Sequence, residues 1–184
     1  PNAEFQPVAP RQQGHEYSIT HRADAFLIRT NDKGSNFRLV TTPTSKPGPS
    51  NWTEIIPHRS EVMLAAAQAF EGFTVITERD QGLVRLRFQQ TDQPDHHIEL
   101  PEAVYQLGSG ANRSFDLEQY RYSYESMVTP PSILDYHPKT RISTLLKETP
   151  VLGDYAKTQY QTTRIYATAQ DGTQVPISLV HHQS

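Results

Sequence analysis

The stretch 73-FTVITERDQGLVRLRFQ-89 alternates apolar and polar residues on both sides of 80-DQG-82. Period-two alternation rich in Val, Ile, Thr, Phe and Tyr marks half-buried β-strands, and a Gly-containing turn between two such runs marks an antiparallel pair. Working outward, the same pattern recurs in 16-EYSITHR-22, 25-AFLIRTN-31, 37-FRLVTTP-43, 52-WTEIIP-57 and 61-EVMLAAAQ-68. It continues in 96-HHIELP-101, 103-AVYQLGSG-110, 119-QYRYSYES-126, 132-SILDYHP-138 and 141-RISTLLKE-148. Turn chemistry separates the runs, as at 31-NDKGSN-36 and 138-PKT-140.

These twelve runs divide into three sets of four. Ala25, Phe73 and Tyr120 open the second run of each set; Phe37, Leu83 and Ser132 the third; and Trp52, His96 and Arg141 the fourth. The repeat length is about 45 residues, the range of a four-stranded propeller blade. Such a unit cannot bury both faces alone, and stacking against its neighbours is the usual solution. Propellers typically have about four to eight blades, so three do not close a ring. Twelve strands also fit an all-β sandwich, and periodicity by itself leaves both open. The expected fold class is all-β.

The chain has 184 residues, 35% hydrophobic and 9% aromatic, with a formal net charge of -3, values of a globular domain able to bury a core. Its apolar runs are short, as in 62-VMLAAA-67, against the roughly 18 residues of a membrane span. Lys and Arg are spread singly, leaving no basic stripe for a phosphate backbone. Neither a membrane nor a nucleic acid is expected as a partner. The absence of cysteine excludes disulfides, thiolate nucleophiles and zinc–cysteine sites, and suits a reducing compartment. The expected location is the cytoplasm, with the periplasm as the alternative.

After Glu148 the alternation stops. The stretch 149-TPVLGDYAKTQ-159 reads as a linker, with Pro, Gly and Asp and no periodicity. Alternation then returns in 162-TRIYATAQ-169, turns at 171-DG-172 and continues in 173-TQVPISLV-180, a strong hairpin signal. Pro176 cannot donate to a ladder, which places this part of the second strand at an edge or bulge. The hairpin does not continue the count of four.

Two segments carry a resemblance to a known family. The segment 122-YSYESMVTPPSILDYHPKTRISTLLKETPV-151 resembles the last propeller blade of the prolyl oligopeptidase family of serine peptidases, and 160-YQTTRIYATAQDGTQVPISLVHH-182 resembles the opening strands of that family's catalytic domain. Upstream, 33-KGSNFRLVTTP-43, 52-WTEIIPHR-59 and 82-GLVRLR-87 are similar to earlier blades. Within the family the likeness leans to the oligopeptidase B, or protease II, branch. The resemblance implies about three blades of a seven-bladed propeller, followed by the first hairpin of an α/β-hydrolase domain whose Ser, Asp and His cleave short peptides. For the oligopeptidase B branch it implies cleavage after Arg or Lys, and for prolyl oligopeptidases cleavage after Pro.

Candidate catalytic residues are scarce. The family nucleophile sits in a Gly-x-Ser-x-Gly elbow, and no such string occurs; the nearest, 107-LGSGAN-112, places Ser109 in an expected turn without a following helix. The histidines are His15, His21, His58, His96, His97, His137, His181 and His182. Adjacent strand residues point to opposite faces, so neither pair puts two imidazoles on one metal. Asp92, Asp95, Glu99 and Glu102 read as a solvated rim rather than paired acid–base groups. Tyr120, Tyr122 and Tyr124 share one sheet face, most simply as packing between blades. Gly108 and Gly110 lack the rest of a phosphate-loop motif. No catalytic, cofactor-binding or metal residue is therefore assigned, and no cofactor is expected.

The resulting division is a lead-in at 1-14, a partial propeller at 15-149, an interdomain linker at 150-161, and the first strands of a truncated catalytic domain at 162-184. The expected function is the propeller portion of a serine oligopeptidase, gating access for short peptides and inactive by itself. Its expected partners are short peptides in the parent and the missing hydrolase domain, with self-association through open sheet edges. The alternative is a non-enzymatic β-propeller or β-sandwich binding module.

Overall fold

The computed structural model describes residues 6–183. Among them the chain is all-β, with three four-stranded antiparallel sheets, a two-stranded sheet and two single-turn 3-10 helices. The three four-stranded sheets have the up-and-down antiparallel form of propeller blades.

The first sheet is β1 (Tyr17–Arg22), β2 (Ala25–Thr30), β3 (Arg38–Pro43) and β4 (Thr53–Ile56), paired in chain order. The second is β5 (Val62–Ala69), β6 (Thr74–Asp80), β7 (Leu83–Gln89) and β8 (His96–His97), also in chain order. Short turns with complementary faces make consecutive strands neighbours. Between β6 and β7 the turn has Gln81 at φ 49° and Gly82 at φ 82°, the paired left-handed geometry whose twist suits a tight hairpin. These two sheets belong to one compact unit, which runs to His97 and also takes in Ser114–Leu117.

Inside that unit an apolar seam joins the two sheets: Leu27, Phe37, Leu39 and Ile56 of the first pack with Leu64 and Ile76 of the second. Polar residues stitch its margins. Arg29 donates to the Leu64 carbonyl at 2.6 Å while its guanidinium lies 3.2 Å from the Phe37 ring centroid, and Thr20 donates to the Ala67 carbonyl at 2.9 Å.

The second unit comprises Ile98–Arg113 and the chain from Glu118 onward. Its blade is β9 (Gln106–Ser109), β10 (Tyr120–Glu125), β11 (Ser132–His137) and β12 (Ile142–Glu148). Tyr120, Tyr122 and Tyr124 lie on one buried face, as their period-two spacing predicts. Burial pushes the phenol of Tyr136, cross-strand from Tyr120, up to about 12.

Two expected strands are shorter than their alternation implies. Of 96-HHIELP-101 only His96–His97 joins a ladder, and of 103-AVYQLGSG-110 only Gln106–Ser109. Pro101 between them has no N–H to donate and bends the chain out of both sheets.

The last sheet is the hairpin β13 (Tyr160–Thr168) and β14 (Gln174–His182). Its connection is longer than the Asp-Gly pair alone. Ala169 donates to Thr173 and Gly172 donates to Ala169, enclosing a three-residue loop with Gly172 at φ 85°.

Candidate functional site

The part of the molecule best fitted to a functional role is the join between the third blade and the hairpin, which lies within the second unit. At its near end the Thr149 N–H donates to the Pro131 carbonyl at 2.9 Å, pinning the exit of β12. The chain then crosses an exposed stretch in which Leu152 is 94% accessible and Gly153 sits at φ 91°. Tyr155 ends this span: its hydroxyl donates to the Val128 carbonyl and its ring stacks on Tyr160 at 5.6 Å. A single turn, Lys157–Gln159, leads into β13, and the Gln183 N–H returns to the Gln159 carbonyl at 2.7 Å. Lys157 reaches Glu148 at 3.5 Å. The hairpin is thus tied to the blade through one aromatic anchor and one exposed ion pair.

Register divides the hairpin into two unlike faces. Gln161, Thr163, Ile165, Ala167, Val175, Ile177, Leu179 and His181 share one, and Tyr160, Thr162, Arg164, Tyr166, Thr168, Gln174, Pro176, Ser178, Val180 and His182 share the other. The first is apolar through its middle, yet Ile165, Ile177 and Leu179 there are exposed. An apolar sheet face of this kind ordinarily packs on another layer.

The first unit holds a charged cluster that composition and motif reasoning did not single out. Glu78 of β6 is buried beside Ile76 of the seam. Arg59, from the β4–β5 connection, pairs with one carboxylate oxygen, His97 of β8 lies 2.9 Å from the other, and Arg87 of β7 stands at 3.7 Å. Burial alone would raise the Glu78 carboxyl. The hydrogen bonds from His97 and Arg59, with the charges of Arg87 and Arg59, outweigh it and hold the group at about 2. The available signal was parity: strand alternation puts Glu78 on the same face as Ile76, a carboxylate where an apolar residue is expected. The connection carrying Arg59 is held by Asn36, which donates to the carbonyls of Arg59 and Ser60.

The residues weighed as chemical candidates fall apart in space. Ser109 is the last residue of β9, opposite Tyr122, rather than part of a turn; the ladder runs on through the Gly110 N–H to the Arg121 carbonyl. Its hydroxyl bonds with Tyr120 and has Asn112 at 3.5 Å. His96 and His97 do diverge, the first stacking on Phe88 at 5.8 Å and the second meeting Glu78. His181 and His182 also lie on opposite faces of the hairpin. Among the described residues no group of three His, Asp or Glu is arranged to hold a metal ion. Asp92, Asp95 and Glu99 are exposed, as the rim reading has it. Glu102 departs from it: half-buried, it accepts a hydrogen bond from the Thr129 hydroxyl, and its Oε2 is buried with no hydrogen-bond partner.

Comparison with known proteins bears directly on this architecture. Residues 1–149 match the family model of the prolyl oligopeptidase N-terminal β-propeller domain. The chain belongs to the prolyl oligopeptidase family. It is 36% identical to dipeptidyl aminopeptidase BI of Pseudoxanthomonas mexicana over 97% of this chain and 25% of that protein. It is 26% identical to protease 2 of Moraxella lacunata over 98% of this chain and 26% of that protein. The structure of oligopeptidase B from Trypanosoma brucei in its closed form, with covalently bound antipain, superposes with a TM-score of 0.84 at 30% identity, covering 96% of this chain and 26% of that one. The chain spans about a quarter of the length of each of these relatives.

Proposed function

We propose that this chain supplies the closing blades of the propeller of a serine oligopeptidase, and that β13 and β14 open its hydrolase domain. The observation that carries this reading is the hairpin: an apolar sheet face, exposed, reached through a short tether directly after the third blade. The proposed reaction is acyl transfer from a peptide amide to Ser and then to water, with His as base and an oxyanion hole receiving the developing charge. The blades contribute exclusion: a propeller over the active site admits short peptides and turns folded proteins away. Residues 150–161 act as one of the interdomain connections, pivoting between the Thr149 clasp and the Tyr155 anchor.

For specificity we propose cleavage after basic residues, supported by the resemblance of the blade and hairpin segments to oligopeptidase B. The 36% identity to a dipeptidyl aminopeptidase supports instead the release of dipeptides, and one assay separates the two. The reading frame is sequenced beyond Ser184, and the protein it encodes is assayed on Arg-, Lys- and Pro-containing chromogenic peptides with free or blocked N-termini. The proposal expects a hydrolase domain of roughly 200 residues with a Gly-x-Ser-x-Gly elbow. It also expects turnover of blocked peptides after Arg or Lys, and none by residues 1–184 alone. A frame that stops without such an elbow, or turnover by the 184-residue chain after rigorous repurification, overturns it.

A further inference from the structure

Between the Thr149 clasp and the Tyr155 anchor, residues 150–154 are all exposed. None of the five gives or receives a backbone–backbone hydrogen bond. Two large apolar side chains stand there in water, Val151 at 48% accessibility and Leu152 at 94%. Gly153 follows at φ 91°, with nothing within 4 Å of where a Cβ would stand. Lacking a Cβ, it passes from that left-handed geometry to an extended one at little cost. A peptidase takes its substrate as an extended strand, so this backbone is free to adopt the shape that cleavage needs.

Other exposed apolar residues in loops, among the described residues, sit on backbone that is held. Phe115 is 44% accessible, but its carbonyl accepts the Glu71 N–H at 2.9 Å. Met127 is 45% accessible, inside a turn closed by the Ser126 hydroxyl, which accepts from the N–H groups of Val128 and Thr129. The loop 90-QTDQPD-95 is largely exposed and carries no large apolar side chain. Nicking of a folded chain follows the burial and hydrogen bonding of its backbone. A large apolar side chain and unheld backbone coincide at 151–153.

We propose that the Leu152–Gly153 bond is a cleavage site for a peptidase that takes a large apolar residue on the acyl side, and that the cut frees the hairpin from the blade. Water is the co-reactant. The amide C–N bond breaks, Leu152 gains the hydroxyl and ends as a carboxylate, and the Gly153 nitrogen takes a proton and ends as an amine. A hydrophobic slot such as that of chymotrypsin accepts Leu, whereas a pocket for basic side chains finds no Lys or Arg between Lys147 and Lys157. After the cut Tyr155 and its stacking partner Tyr160 stay on one fragment, so their stack holds nothing across the break. The Tyr155 hydroxyl bond to Val128 and the exposed Lys157–Glu148 pair do span it. An exposed ion pair contributes little, and a two-stranded hairpin by itself is marginal.

The 184-residue chain is digested with chymotrypsin at a low enzyme ratio, and the products are weighed by mass spectrometry over time. The first products expected are 1–152 and 153–184, which separate on gel filtration without denaturant. Leu152→Asp puts a carboxylate where the slot is apolar, so this cut should slow about tenfold or more. Its melting curve should match the parent's, because the side chain is already exposed. A first cut at Phe115, Met127 or Tyr155 overturns the proposal, as do fragments that elute together, or an unchanged rate in a folded Leu152→Asp chain. Should Leu152→Asp not fold, the masses from the parent chain decide: a first cut outside 151–153 overturns the proposal. The digest is read on the chain itself, so its failure leaves the reading of the parent's chemistry standing.

Discussion

The seam between the first two sheets and the C-terminal hairpin are written in the same residue alphabet. Both use Val, Ile and Leu at period two, and both pair antiparallel in chain order. In the seam Leu39 and Ile76 are 0% exposed, whereas in the hairpin Ile165 is 44% and Ile177 37% exposed. Alternation declares that a face needs burying without stating what buries it. In the seam the partner is the neighbouring repeat, so the two sheets satisfy one another. The hairpin has no matching repeat, and a two-stranded sheet with an open apolar face is marginal in water.

The contrast is broken most forcefully at Glu78. Glu78→Ala leaves Arg59 and Arg87 without their shared carboxylate and should lower stability by about 3–5 kcal/mol in a urea melt. The cluster also predicts acid sensitivity. Glu78 titrates near 2 in the folded chain against 4.5 ordinarily, so its contribution is complete above pH 4.5 and is lost as pH falls toward 2. Stability measured across that window should fall more steeply for the parent than for the Ala variant; parallel profiles would remove Glu78 as the cause.

Leu39→Ala empties a fully buried position in the seam and should cost about 2–5 kcal/mol, again read by denaturant melting. Gly172→Ala acts on the other side of the comparison. The left-handed φ of 85° penalises a Cβ by about 1–2 kcal/mol. Because β13 and β14 contact the third blade little, amide exchange should quicken within the hairpin and stay unchanged in β6 and β7. The smallest expected effect is that of Ile177→Ser, within about 0.5 kcal/mol of the parent in global stability because the side chain is already exposed. Its consequence should appear in sedimentation instead. If the uncovered face promotes self-association, the Ser variant stays monomeric at concentrations where the parent does not, and equal association would move the contact elsewhere.

Much of the architecture was legible before any coordinates, because period-two patterning and turn residues are local signals. The runs around 73–89 and 160–182 lie where β6, β7, β13 and β14 are found. Two kinds of feature were not legible. Strand ends near Pro101 depend on whether a neighbouring strand offers partners, and alternation cannot show that. The roles of Glu78 and Glu102 depend on what lies opposite them. Glu78 sits 19 residues from both Arg59 and His97, and Glu102 sits 27 residues from Thr129. In one dimension each is one more carboxylate among charged neighbours.

The sequence by itself determined the strand set, its grouping into three sets of four and the terminal hairpin, since side-chain alternation in a strand follows from covalent geometry. Only the tertiary structure decided which carboxylates are buried and paired, and which buried oxygen lacks a donor. Those properties depend on solvent exclusion and on groups converging from distant parts of the chain, and neither is encoded within any one stretch.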